Sequence, residues 1–339
     1  MSIEENIARI LVETTVEKAL KEMKHFPERG IRNLIDMGVE FSCGKFQKHI
    51  LRIAQDMLQN EESAYYQLIR EIVQFTDLEK VKRFGVNFGY NSCTMGAKKI
   101  QTVEAIEKYD IPWSLGFYIN NQLSLPKEKG YRMTIEQGMR LGIYTYLFYI
   151  NENPLAVLHW LKDYPQCAFI LFCRPANITS CLLKETQQIN NLIIAVEKGN
   201  DTARVCGKLK RNGDLYAVYF QYKKEDAKDI LNGTLLKKYE KTFPPVIALF
   251  PHSTCPLEVQ KSVYQYIVEV REKQNYPTIL LDAKFDNIYV DRVISNHSTV
   301  IWFDAVGQLH SGNRMYTSVE YNIFQNRLST ILKLAFSKH

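Results

Sequence analysis

The chain has 339 residues, 46% hydrophobic and 24% charged, and its 43 Lys+Arg against 37 Asp+Glu give a formal net charge of +6. That size and balance suit a globular protein with a sizeable core. The charges are interspersed, and "KLKR" (208–211) and "LLKKYEK" (235–241) read as solvated helix faces rather than a nucleic-acid surface.

The N-terminal "MSIEENIARI" is acidic and amphipathic, unlike a secretory or transit signal. The most apolar run, "YTYLFYI" (144–150), is far short of the ~20 residues a membrane span needs. Seven scattered cysteines without C-x-x-C spacing fit a reducing compartment and no structural zinc. The expectation is a soluble, cytoplasmic protein with neither a nucleic-acid nor a membrane partner.

Residues 1–80 read as an all-helical segment. Ser2-Ile3-Glu4-Glu5 forms a capping box, followed by Ile7, Ile10, Leu11, Val16, Leu20 and Met23 at helical spacing. A second helix starts near Phe46, with Phe46, His49, Ile50, Ile53 and Met57 on one stripe. A third is "AYYQLIREIVQF", and Thr76-Asp77-Leu78-Glu79 is a further capping box.

From 81 to 286 short apolar runs alternate with amphipathic segments. The runs are "RFGVNFGY" (83–90), "PWSLGFYI" (112–119), "IYTYLFYI" (143–150), "CAFILFC" (167–173), "NLIIAVE" (191–197), "LYAVYFQY" (215–222), "VIALFPH" (246–252) and "TILLDAKF" (278–285). They are aromatic and β-branched throughout, as strands buried on both faces of a parallel sheet are. The third to sixth begin 24 residues apart. Helix signals fill the gaps: Thr134-Ile135-Glu136-Gln137, Asn177 before "ITSCLLKETQQI", Gly213 closing "TARVCGKLKRNG", and Pro256 opening "CPLEVQKSVYQYIVEVREKQ". Eight strands alternating with helices predict an α/β chain folded as a (β/α) barrel, full or partial TIM-like. An open doubly wound sheet stays as the alternative. Residues 287–339 read as strands "NIYVDRVISN" and "TVIWFDAVGQLHSG", a C-terminal β-hairpin, and then a helix.

In such a barrel the working residues sit at strand C-termini. That rule selects Asn87, Tyr90, Asn91 and Cys93 after the first run, Arg174 after the fourth, Tyr222 ending the sixth and Lys284 in the eighth as ligand-binding candidates. Glu197, His252 and Asp282 are the acid–base candidates. A carboxylate ending an apolar strand, as Glu197 does, is desolvated and its pKa rises; a histidine at a strand-to-helix turn can serve as base or ligand; and Asp282 with Asp286 can bind a cation or a substrate amine. Each has a plainer reading beside it: a solvated loop for Glu197, a hydrogen-bonded turn for His252, an ion-paired loop for Asp282 and Asp286. Cys93 has no histidine neighbour. No dinucleotide fingerprint, P-loop or H-E-x-x-H is present. No metal site and no cofactor is predicted from the residues.

The layout resembles the radical S-adenosylmethionine proteins with a SPASM-type C-terminal extension, over roughly residues 80–310. "NLIIAVEKGNDTARVCGKLKRNGDLYAVYFQY" is similar to the family's mid-barrel segment, and "STVIWFDAVGQLHSG" to its strand–turn–strand hairpin with an "x-D-x-x-G" turn. The resemblance implies a helical leader, a (β/α) barrel and S-adenosylmethionine as a cofactor by resemblance only. The family's C-x-x-x-C-x-x-C loop, whose thiolates hold an iron–sulfur cluster, corresponds to "GYNSCTMGAKK", with Cys93 alone. The Gly-Gly-Glu motif corresponds to "LGFYIN". Three readings follow. One is a cluster-free relative that binds a small molecule or peptide or assists a catalytic partner. The second is a cluster-free barrel enzyme using acid–base or metal-assisted chemistry. The third is a protein-interaction module acting through the N-terminal helices.

Overall fold

The computed structural model describes residues 3–41, 45–120, 123–239, 244–295, 300–312 and 314–338. Ser2, Cys43 and the side chains of Phe46, His49 and Ile50 lie outside what is described. Ten strands occur in chain order: β1 (Ser114–Ile119), β2 (Thr145–Ile150), β3 (Ala168–Cys173), β4 (Leu192–Glu197), β5 (Leu215–Tyr222), β6 (Val246–Pro251), β7 (Ile279–Asp282), β8 (Ile301–Phe303), β9 (Leu309–Ser311) and β10 (Arg314–Met315). The chain packs as two compact units, one of residues 1–78 and 194–287, the other of 79–193 and 288–339.

The first unit opens with helices Ile3–Met23, Pro27–Phe41, Lys45–Met57 and Tyr65–Phe75. Buried Tyr66 ties them together, taking Arg32 Nε at 2.7 Å and donating to the Leu58 carbonyl. Its strands run in the order β4-β5-β6-β7, parallel from β5 to β7. The second unit holds β10-β9-β8-β1-β2-β3, where β8, β1, β2 and β3 are parallel and β9 and β10 fold back antiparallel. Neither series returns to pair with its own first strand. The architecture is mixed α/β with parallel strands and many helices, as expected, and among the described residues no strand pairing closes it into a full TIM-like ring.

Seven of the eight strand runs fold as strands. The first does not. Residues 83–90 lie in a helix that runs Leu78–Val86, passes through a π-helical stretch Asn87–Gly96, and continues as Ala97–Glu107. Its buried positions explain the misreading: Val86/Asn87, Asn91/Ser92 and Gly96/Ala97 recur every five residues, the wider winding of a π-helix. Phe84, Val86, Phe88 and Tyr90 merely mimic a two-residue strand period. The described part of "NIYVDRVISN", residues 287–295, is also helical, within Phe285–Ser295. Asp282, one turn ahead of it, caps its N-terminus. Thr134 lies inside a helix rather than at its start. That helix runs Leu125–Leu141, with Pro126 in its first turn.

The second unit's core is aromatic. On one sheet face Phe117 packs against Phe148 (5.4 Å between ring centroids), Phe303 (6.1 Å) and Tyr131 of helix Leu125–Leu141 (5.4 Å). Trp160, from helix Leu155–Leu161, closes on Phe148 at 5.6 Å. All are fully buried. Side chains alternate along a strand, so this packing dedicates one face of β1, β2, β3 and β8 to the helices. It leaves the other face for different work.

Candidate ligand-binding face

The segment expected to form an active-site loop is instead a clamp. Asn87 Nδ2 donates to the carbonyls of Pro165 (2.8 Å) and Cys167 (2.7 Å), just before β3. Asn91 Nδ2 donates to Gln166 O (2.8 Å) and Asn87 Oδ1 (3.0 Å), and Ser92 Oγ meets Thr145 Oγ1 at 2.8 Å. Thr145 opens β2 and Ala168 opens β3, so these contacts gather the N-terminal ends of the strands. That end of a βα fold serves stability. Asn87 and Asn91 therefore sit at the opposite end from the one the sequence assigned them. Tyr90 and Cys93 lie on the same π-helical stretch. Cys93 is half-buried, and desolvation pushes its thiol up to about 12, so it is protonated at neutral pH.

In the first unit, Asp282 is wholly buried on the face that carries Val218, Leu249 and Leu280. Its Oδ1 accepts from the backbone N–H of Lys284 (2.9 Å) and Phe285 (2.8 Å), and Tyr222 Oη lies 3.4 Å from Oδ2. Desolvation lifts its pKa to about 6. Asp286 is bound by Arg271 at 3.0 Å. Lys284 Nζ is tied to Gln260 Oε1 at 2.7 Å. His252 Nδ1 pairs with Thr254 Oγ1 at 2.7 Å and accepts from Thr254 N at 3.1 Å, a self-contained turn. Glu197 is half-buried and opens the turn in which its carbonyl accepts from Thr202 Oγ1 at 2.9 Å. The structure joins Tyr222 to Asp282. Neither His252 nor Asp282 bonds to the other or to Glu197, because each is already engaged in its own turn or cap.

The second unit's other sheet face holds what the sequence reading missed. Tyr118, Tyr149 and Phe172 are each the penultimate residue of β1, β2 and β3, and cross-strand register places them side by side. Their rings stack in a row, Tyr149–Phe172 at 4.4 Å and Tyr118–Tyr149 at 5.6 Å. The row continues through Trp302 on β8, 5.9 Å from Tyr118, to His310 on β9, 3.8 Å from Trp302. Gly116 makes room for it, since a Cβ there would meet Trp302 Cβ at 2.9 Å. Side chains stand off a sheet, so these rings form an aromatic floor along this face of the strands. Tyr118 is 40% exposed, Tyr149, Trp302 and His310 are partly covered, and Phe172 is buried. Arg174 follows β3 directly, exposed beside the end of the row.

A second polar cluster lies elsewhere in this unit. Glu104, 6% exposed, accepts from Ile111 N at 2.7 Å. Lys338 bridges it (3.6 Å) to Asp110 (2.7 Å), where residues 336–338 pair with the backbone of 108–110. Desolvation, with help from Asp110 and Asp291, raises Glu104 to about 7 from an ordinary 4.5. A carboxyl whose folded pKa is raised contributes stability below its unfolded pKa and loses it as pH climbs through the folded value. Denaturant melts from pH 4.5 to 8 should therefore show stability falling by about 3 kcal/mol from this group. Asp282 adds to the acidic part of that slope. Glu104→Gln should flatten it.

No family model matches the chain, and no curated protein matches it. Solved structures do. Streptococcus suis SuiB bound to S-adenosylmethionine aligns with a TM-score of 0.52 at 9% identity, over 69% of this chain and 67% of that one. SuiB alone aligns at 0.51 and 9% identity over 88% and 78%, and SuiB bound to precursor peptide SuiA at 0.51 and 9% over 70% and 69%. The fold is radical S-adenosylmethionine-like and SPASM-like. At this identity the likeness is one of fold. A radical S-adenosylmethionine cluster is held by cysteine thiolates. Among the described residues no three Cys, His, Asp or Glu side chains are grouped to hold a metal ion. Cys93 lies within a π-helical stretch rather than after the first strand, and residues 120–130 after β1, "NNQLSLPKEKG", contain no cysteine. Among the described residues, no helix is long and apolar enough to cross a membrane.

Proposed function

We propose that this chain is a ligand-binding protein of radical S-adenosylmethionine-like fold that works without an iron–sulfur cluster. It takes a small molecule or peptide on the row Phe172–Tyr149–Tyr118–Trp302–His310, with Arg174 at its rim. The observation that carries this reading is the row itself: five neighbouring rings on one sheet face, stacked except where Tyr118 meets Trp302 at a tilt, with three of them at strand C-termini. SuiB has been solved with S-adenosylmethionine and with a peptide, and these two ligand classes are the first to try. The segments 1–80, 81–286 and 287–339 have separate roles in this reading, and the last contributes Trp302 and His310 to the site.

Tyr118→Ala tests it. A truncation at a 40% exposed position costs little stability, yet it removes the centre of the floor. Isothermal titration of S-adenosylmethionine and of an aromatic peptide into the chain and the variant should show at least about tenfold weaker binding in the variant, by loss of one stacked ring. Unchanged affinity would remove the row from the site. A role assisting a catalytic partner is favoured by a separate observation: Ile7, Ile10 and Leu11 on helix Ile3–Met23 are 54%, 61% and 63% exposed on one stripe.

A further inference from the structure

The end of the aromatic row carries a pair that the ligand reading does not by itself require. Asp304 sits in the β8–β9 turn with Oδ1 fixed by the backbone N–H groups of Val306 (3.0 Å) and Gln308 (2.9 Å). Gly307, at φ +86°, gives the turn its left-handed residue and donates its N–H to Asp304 O at 2.9 Å. This leaves Oδ2 to meet His310 Nε2 at 3.1 Å. The imidazole lies flat on Trp302, centroids 3.8 Å apart and planes 15° from parallel. Both side chains are mostly covered, 14% exposed for His310 and 21% for Asp304. A carboxylate accepts, so the proton on Nε2 faces Asp304, and a singly protonated ring held this way presents its lone pair at Nδ1. Among the described residues Nδ1 has no hydrogen-bond partner.

We infer that Asp304 and Trp302 hold His310 as a hydrogen-bond acceptor that selects ligands presenting an aromatic N–H or O–H donor, such as an indole- or phenol-bearing side chain. The inference rests on the ligand-binding reading above and names the ligand class. Asp304 sets the tautomer and Trp302 sets the ring plane, so the lone pair keeps one direction. The neighbouring Tyr118 and Trp302 edges supply apolar contact for the rest of the ring. A ring of equal size without the donor would bury Nδ1 unsatisfied and bind less well.

The test uses the full chain with N-acetyl-tryptophanamide and its N1-methyl derivative, which keeps the ring and loses the donor. The expected result is a preference of at least about fivefold for the donor-bearing probe, abolished in His310→Ala. Asp304→Asn keeps the Oδ1 turn contacts and offers an N–H to Nε2. It should move the imidazole proton to Nδ1, visible in the nitrogen chemical shifts, and remove or reverse the preference while the chain stays folded. Equal affinity of the two probes for the unaltered chain overturns this inference and leaves the ligand-binding reading standing. Absence of binding by either probe counts against both. A preference unmoved by Asp304→Asn would contradict the tautomer role.

Discussion

Asn87→Ala should destabilise the protein by about 3 kcal/mol and leave ligand affinity of the folded chain unchanged. The amide is fully buried, and it donates to two backbone carbonyls while its own oxygen takes Asn91 Nδ2. Removing it leaves the Pro165 carbonyl without that donor, takes one of two acceptors from the Asn91 amide and opens a small void. Each buried group left unsatisfied costs about 1–3 kcal/mol. Urea unfolding of the variant, paired with titration of a ligand at a temperature where it remains folded, separates this from a pocket role. Lost affinity with unchanged stability would return Asn87 to the site and overturn the clamp.

Gly96→Ala should cost about as much, for a steric reason. A Cβ at Gly96 would lie 2.3 Å from the Gly142 carbonyl oxygen and 2.7 Å from that of Asn91. Both obstacles are backbone, so no rotamer change relieves them. Gly142, at φ +105°, ends helix Leu125–Leu141 and reciprocates, its own missing Cβ lying 2.6 Å from Gly96 O. Overpacking of this kind costs about 3 kcal/mol. Gly85→Ala is the matched comparison. It sits in helix Leu78–Val86 with nothing within 4 Å of an added Cβ, so it should stabilise by up to about 1 kcal/mol through helix propensity alone. If both glycines responded alike, the π-helical packing described for 87–96 would be incorrect.

The parallel strands were legible because doubly buried strands write themselves as uninterrupted apolar runs, and seven such runs became β1–β7. The run at 83–90 was not, because a five-residue burial repeat lies between the periods that mark strands and ordinary helices. The hairpin at 301–311 could be read from "FDAVGQLH", whose Asp and Gly make the turn. The working face was hidden by the same property that revealed the strands. "SLGFYI" and "TYLFYI" carry aromatics on both faces, so nothing in them says that Phe117 and Phe148 meet helices while Tyr118 and Tyr149 do not. Placing Trp302 and His310 beside Tyr118 needs the parallel pairing of β8 with β1, a contact between residues nearly two hundred positions apart. Asp282 illustrates the reverse failure. The sequence offers it as an acid–base group, but a buried carboxylate can be spent on capping a helix.

The proposed function requires that this fold works without an iron–sulfur cluster. Chain produced and reconstituted anaerobically with iron and sulfide, then desalted, should retain well under one iron per chain and lack the charge-transfer absorption of a cluster. It should still bind ligand on the aromatic row. Retention of roughly four irons per chain, as a site-differentiated cluster requires, or cleavage of S-adenosylmethionine to a deoxyadenosyl product, would contradict it.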